Sequence, residues 1–289
     1  VRAVGVEPAT NIARLARQAG LETWNEFFDE HVARRLGAAK GPAKAIVANN
    51  VLAHIDDLVE VTRALDALLD DDGVFVAEFP YLGDLLARVE YDTIYHEHLS
   101  YFALAPLARL FAGAGLQLFD ARRLAIHGGS VRIFVGRAGR HAPTDRLRAT
   151  EEEERSLGLD RLETYKSFAA QVAASRAALR TLIREVHQAG KRVAALGATA
   201  KGSTLLNYCA LGTTEIEYVA DSTPLKHGLF TPGMHIPVRP EDTIMRDRPD
   251  YTLLLAWNYT ESIVARFRPY LEQGGRFIHP IPLARLISA

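Results

Sequence analysis

KRVAALGATAKGSTLLNYCA, residues 191–210, decides the fold. Residues 192–196 form an apolar run of strand length. Gly197 punctuates it, and from about Lys201 the spacing turns helical. A strand that passes through a glycine turn into a helix is the unit of a parallel sheet, because parallel neighbours need a crossover rather than a tight turn. Downstream, EIEYVAD (215–221), DYTLLLAWN (250–258) and GRFIHP (275–280) read as further buried strands, the last two separated by a helix near 262–271. Upstream the alternation repeats. VRAVGV (1–6), AIVANN (45–50) and GVFVAEFP (73–80) read as buried strands, with helical spacing over 11–19 and 56–69. Helical spacing returns over 107–112. LQLFDARRL (116–124) and SVRIFVGR (130–137) have no helical pattern between them and predict an antiparallel pair at a sheet edge. Over 143–189 the pattern is helical, with Leu162, Tyr165, Phe168, Val172, Leu179, Leu182 and Val186 on one face and Gly190 as the stop. The acidic run EEEE (151–154) reads as a solvated helix start that suits the positive end of the dipole.

The chain's 289 residues are enough for two domains of roughly 150 each. Lys and Arg total 34 against 35 Asp and Glu, so no basic excess exists to neutralise phosphates or an anionic bilayer. Neither a nucleic-acid nor a membrane partner is expected. No apolar run reaches the ~18 residues of a membrane span, and residues 1–8 read as a strand and its turn rather than a signal peptide. A single cysteine, Cys209, excludes a disulfide framework and a Cys-rich zinc site, and predicts a reducing, cytoplasmic setting. Val at position 1 and only two methionines predict a chain that starts inside a domain.

Open parallel sheets bind ligands at the carboxyl ends of their strands. Glu7 sits at such an end, where a carboxylate can accept from two ribose hydroxyls; the alternative is a surface carboxylate before a Pro turn. Asn49, Asn50 and His54 follow the next strand, and turn and cap chemistry also explains them. The densest constellation is EYDTIYHEHLSYF (90–102). A metal reading of HEH is disfavoured, because alternating ligands on an extended chain point to opposite sides and no other pair has ligand spacing. Packed tyrosines with satisfied histidines are one reading. A general base is the other, since histidine titrates near neutrality, a carboxylate can hold it and a phenol can donate to a developing oxyanion. GATAKGS (197–203) reads as a phosphate cradle, with Gly197 and Gly202 admitting backbone N–H groups and Lys201 adding charge, or as a plain strand-to-helix turn. Asp221 ends the next strand, where a ribose could lie, and Lys226 and His227 fall in the Gly/Pro-rich loop 225–238.

In order along the chain, GVEP (5–8), ANNVLAHIDD (48–57), YDTIYHEHLSYF (91–102), HGGSVR (127–132), GATAKGSTLLNYC (197–209) and ADSTPLKHGLFTPG (220–233) resemble the S-adenosylmethionine-dependent C-methyltransferases of nucleotide-linked keto-deoxysugars. The resemblance implies an α/β fold of two Rossmann-like open-sheet domains joined by a helical segment. The methyltransferase domain covers 1–140, a helical connector 141–190 and a sugar-nucleotide-binding domain 191–289. The family's zinc-lobe cysteines and the first strand with its glycine loop have no counterpart here, so no metal is expected in this chain. The implied cofactor is S-adenosylmethionine, with Glu7 on its ribose, Phe27 or Phe28 near the adenine and Asn49 and Asn50 beside it. The implied catalytic group is Tyr95, Glu97 and His98, with His54 facing the reacting sugar and His127 and Ser130 in the neighbouring loop. Ala200, Lys201, Ser203, Asp221 and Lys226 are implied to hold the sugar nucleotide between the two domains, in a monomer or weak homo-oligomer. A nucleotide-sugar-binding protein without catalysis is the alternative. A dinucleotide-dependent oxidoreductase is disfavoured, because neither sheet unit carries G-x-G-x-x-G.

Overall fold

A computed structural model describes residues 2–126 and 128–289. The chain forms two compact α/β units interleaved along the sequence: Val1–Tyr81 with Leu99–Leu157, and Leu82–His98 with Gly158–Ala289. These units cut across the expected boundaries. The helix Asp145–Leu157 belongs to the first, and residues 82–98, which carry the Tyr/His cluster, belong to the second. The reason is packing. Val89 and Tyr91 bury their side chains among the hydrophobic residues of the second unit's core.

In the first unit, β1 (Gly5–Val6) pairs in parallel with β2 (Thr23–Trp24) across the helix Thr10–Gln18. A separate four-stranded sheet has the order β3-β4-β6-β5, with β3 Ala43–Asn49, β4 Leu69–Pro80, β5 Leu116–Leu124 and β6 Ser130–Arg137. β3 and β4 run parallel through the helix Leu58–Leu68, whose amino end is capped by Asp57 accepting from the Glu60 N–H at 2.9 Å. β6 lies antiparallel between β4 and β5, so the expected antiparallel pair is present with β5 at the edge. The run 45–50 is only half-buried: β3 is an edge strand and Val47 stays 64% exposed. The core gathers Phe75, Phe79, Phe111, Leu116, Ile133 and Val135. EEEE is not a helix start. It lies inside Asp145–Leu157, and its last residue is buried.

The second unit holds six strands in the order β12-β11-β10-β7-β8-β9. They are β7 Val193–Leu196, β8 Val219–Asp221, β9 Val238–Pro240, β10 Tyr251–Leu254, β11 Arg276–His279 and β12 Arg285–Ile287. All neighbours are parallel except β11 and β12. The chain winds from β7 to β8 on one side and returns to β10 on the other, so the order reverses beside β7. That switch point opens a crevice at the carboxyl ends of β7 and β10. Among the described residues no helix is long and apolar enough to cross a membrane, and no group of three or more His, Cys, Asp or Glu is placed to hold a metal ion.

Candidate active site

The segment 89–98 of the second unit holds the densest chemistry. Tyr91–Thr93 forms a single 3-10 turn, closed by the Thr93 N–H and Oγ1 donating to the Glu90 carbonyl at 3.1 and 2.7 Å. Beyond it, His98 Nδ1 lies 2.8 Å from the Thr93 carbonyl, and His98 Nε2 lies 3.1 Å from Tyr95 Oη. A carbonyl only accepts, so Nδ1 carries the proton. In the neutral ring, Nε2 is then the basic nitrogen, and the Tyr95 phenol donates to it. The two rings lie 4.2 Å apart between centroids. Both residues are half-buried, which leaves them within reach of a ligand, whereas His96 and Glu97 are exposed. Thr93, the orienting group, acts through its main chain. No side-chain pattern could have marked it.

Behind that turn sits a buried polar cluster. Asp92 is fully buried and accepts from Trp257 Nε1 at 2.6 Å, while Lys201 Nζ lies 3.8 Å from the same carboxylate oxygen. The Lys201 ammonium also stands 3.9 Å over the Trp257 ring. Burial disfavours both charges, raising the Asp92 pKa and lowering that of Lys201, so the two groups come closer in proton affinity. Burial pushes Glu90 up to about 8, with Lys201 opposing and Asp92 reinforcing the shift. The edge of Trp257 meets His279, which burial and then Arg285 push down to about 4, so that imidazole is neutral. Lys201 is therefore a buried partner of Asp92, not a free point charge on the turn.

The GATAKGS turn does start a helix, Ala200–Cys209, capped by Thr199 Oγ1 accepting from the Gly202 N–H at 3.0 Å. Its glycines serve close packing. At Gly197 (φ +97°) a Cβ would come 2.8 Å from the Ala256 Cβ, and at Gly202 one would come 2.8 Å from the Leu255 Cβ. Ala200 is exposed, and half-buried Ser203 donates to the Thr199 carbonyl at 3.3 Å. Asp221 clips loops together: its two oxygens accept from the Ala198 and Thr223 N–H groups at 2.7 and 2.8 Å. Burial works to raise its pKa, but those bonds outweigh burial and hold it below the usual carboxylate range. Lys226 Nζ donates to the Ala198 carbonyl at 2.9 Å and pairs with Asp221 at 3.4 Å. Asp221 and Lys226 thus close on the turn after β7 through Ala198, while Ala200 and Ser203 lie in the first turn of the helix that follows it.

In the first unit, Glu7 follows β1. Its Oε1 accepts from the Ala9 N–H at 2.8 Å, and Oε2 has no bonded partner among the described residues. One carboxylate oxygen left over at a strand's carboxyl end fits a ribose hydroxyl. Phe27 is 76% exposed and offers a flat apolar face that suits an adenine, whereas Phe28 packs into the core. Asn49 ends β3 in the open, and Asn50 adopts φ 53° with its N–H on the Glu78 carbonyl at 2.7 Å. His54 is the exposed last residue of a 3-10 turn, Leu52–His54, whose Leu52 and Ala53 are buried. Ser130 is buried at the start of β6 and donates to the Ile126 carbonyl at 3.3 Å, so its hydroxyl is spent within the fold. His127 lies outside the described residues.

Comparison with known proteins adds a second line of argument. A family model described as "C-methyltransferase C-terminal domain" matches residues 125–282, and one described as "Methyltransferase domain" matches residues 1–121. The chain is 42% identical over 289 residues to "C-methyltransferase NovU" of Streptomyces niveus, covering all of this chain and 69% of that protein. Among solved structures, a SAM-dependent methyltransferase from Thermotoga maritima, described as a possible histamine N-methyltransferase, is 16% identical. It covers 45% of this chain and 71% of that one with a TM-score of 0.35. A SAM-dependent methyltransferase from Anabaena variabilis is 13% identical, covers 47% and 68%, and scores 0.37. Likenesses that low add nothing to the fold described above.

Proposed function

The chain belongs to the S-adenosylmethionine-dependent C-methyltransferases, and from that premise we propose that it methylates the carbon next to the ketone of a nucleotide-linked 4-keto-deoxysugar. Glu7, Phe27, Asn49 and Asn50 hold the methyl donor. When bound, it supplies a methyl group on a positively charged sulfur. Ala200, Ser203, Asp221 and Lys226 hold the nucleotide part of the sugar substrate. Lys201 leaves that set, because its ammonium is committed to Asp92.

The observation that carries this reading is the chain Tyr95 Oη–His98 Nε2, His98 Nδ1–Thr93 O. A hydrogen next to a ketone is only weakly acidic, so enolisation needs both a base and a donor for the oxygen. A positioned general base contributes ~10²–10⁴ in rate, and an oxyanion donor about 10²–10³. Once the Tyr95 phenol turns from His98 Nε2 to the ketone oxygen, the Nε2 lone pair removes that hydrogen. The phenol then donates to the enolate oxygen as charge develops there. Glu97, exposed one residue before His98, borders the group.

The test separates enolisation from methyl transfer. His98→Asn is expected to lose methyl transfer, and also deuterium wash-in next to the ketone, by ~10²–10⁴. Unchanged wash-in in a folded His98→Asn protein would remove His98 as the base. Failure of the wild-type chain to methylate any 4-keto sugar nucleotide would remove the substrate assignment.

A further inference from the structure

His98 is oriented by a main-chain carbonyl, so the direction of that carbonyl depends on whatever fixes the Tyr91–Thr93 turn. That turn is tied to both ends of the helix Ala200–Cys209. Tyr91 Oη lies 3.6 Å from Cys209 Sγ, with its ring 5.3 Å from that of Tyr208, at the carboxyl end. Asp92 meets Lys201 at the amino end and Trp257 from the segment after β10. The turn is therefore anchored on both sides of the sheet's switch point. The chain leading into it is strained: Val89, buried two residues before the turn, has φ 58°. A β-branched residue in that region is strained and persists only where surrounding contacts over-determine it.

We propose that the buried Asp92–Lys201–Trp257 group is a positioning device that holds the Thr93 carbonyl against His98 and so fixes its imidazole in the tautomer with the proton on Nδ1. Two charges in this core are a costly way to fill space, since apolar residues of similar volume often stabilise as well or better. What apolar packing lacks is direction. The Trp257 N–H and the Lys201 ammonium share one oxygen of Asp92, which sets the rotation of the turn as well as its depth. Lys201, Trp257 and Asp92 touch no reacting atom in this account and act through Thr93 and His98 alone. The proposal rests on His98 being the base, but it predicts a property of the ring that is read without substrate.

The experiment uses the whole chain labelled with ¹⁵N-histidine, and His98→Asn assigns the His98 resonances. Wild-type protein is expected to show one neutral tautomer for His98, with the proton on Nδ1. The double variant Asp92→Leu/Lys201→Met keeps charge balance, leaves no acceptor for the Trp257 N–H and so removes the anchor; it is expected to lose that single tautomer and give the mixed signal of a mobile ring. If the double variant does not fold, Trp257→Phe decides. It deletes one N–H and keeps a ring under Lys201, and it too is expected to lose the single tautomer. Retention of one Nδ1–H tautomer in a folded variant that lacks the anchor would overturn the proposal. So would a mixed tautomer in the wild type. A wild-type chain without methyl transfer would end the functional reading and leave this measurement intact.

Discussion

Glu154 accepts hydrogen bonds from the Leu104 and Ala105 N–H groups at 2.6 and 3.3 Å and from Tyr81 Oη at 3.1 Å, while only 5% exposed. It caps the helix Leu104–Ala112, whose own N-cap residue, Ala103, offers no side-chain acceptor. Glu154→Gln keeps the shape and removes the charge that strengthens those bonds. It is expected to lower unfolding free energy by about 1–3 kcal/mol, read from urea melts. This role could have been read from spacing: Leu147, Thr150 and Glu154 are the buried positions of their helix, three and four residues apart, and the acidic run drew attention away from that face. Glu90 carries the second residue-level expectation. Burial raises its pKa to about 8, with Lys201 and Arg88 opposing the rise and Asp92 and Asp84 adding to it. The folded state then keeps a proton that the unfolded chain releases above its lower, ordinary carboxylate pKa. Stability from this group is full below that pKa and falls as pH rises toward 8. Glu90→Gln is expected to flatten that decline in melts taken between pH 5 and 8.5, with an unchanged slope counting against the assignment.

At the scale of elements, the turn after β7 was legible as strand, glycine and helix because each signal is local: an apolar run, a residue that tolerates φ +97°, and helical spacing from about Lys201. The purpose of the glycines was not legible, because it depends on distant chain: Ala256, 59 residues beyond Gly197, and Leu255, 53 beyond Gly202. Gly197→Ala forces a Cβ into 2.8 Å contact with Ala256 at a backbone angle that L-residues avoid. A loss of about 1–3 kcal/mol in unfolding free energy is expected. A neutral result would mean that β7 and β10 can part without cost. Apolar runs overstate strand length for a related reason. In EIEYVAD, Ile216 and Tyr218 are fully buried, yet regular pairing begins only at Val219. The strands β9 and β12 are three residues each, too short for any alternation to show.

Over the whole molecule, each unit is made of two stretches of chain, so each contributes a piece that lies inside the other's sequence. Composition gave no hint of this, since residues 82–98 differ from their flanks only in the partners they find. Residues 158–289 alone would retain Lys201 but lack Asp92. Breaking a buried pair by removing one partner costs about 3–5 kcal/mol. That fragment is expected to melt well below a form in which 82–98 is restored by a short linker, with circular dichroism as the measure. A consequence reaches inheritance. Recombination that traded the carboxyl half between two kindred genes would separate a lysine and a tryptophan from the aspartate they were selected with. Hybrids that swap both stretches together should survive where single-junction hybrids fail, which makes seventeen residues from the middle of the gene part of the heritable unit at its end.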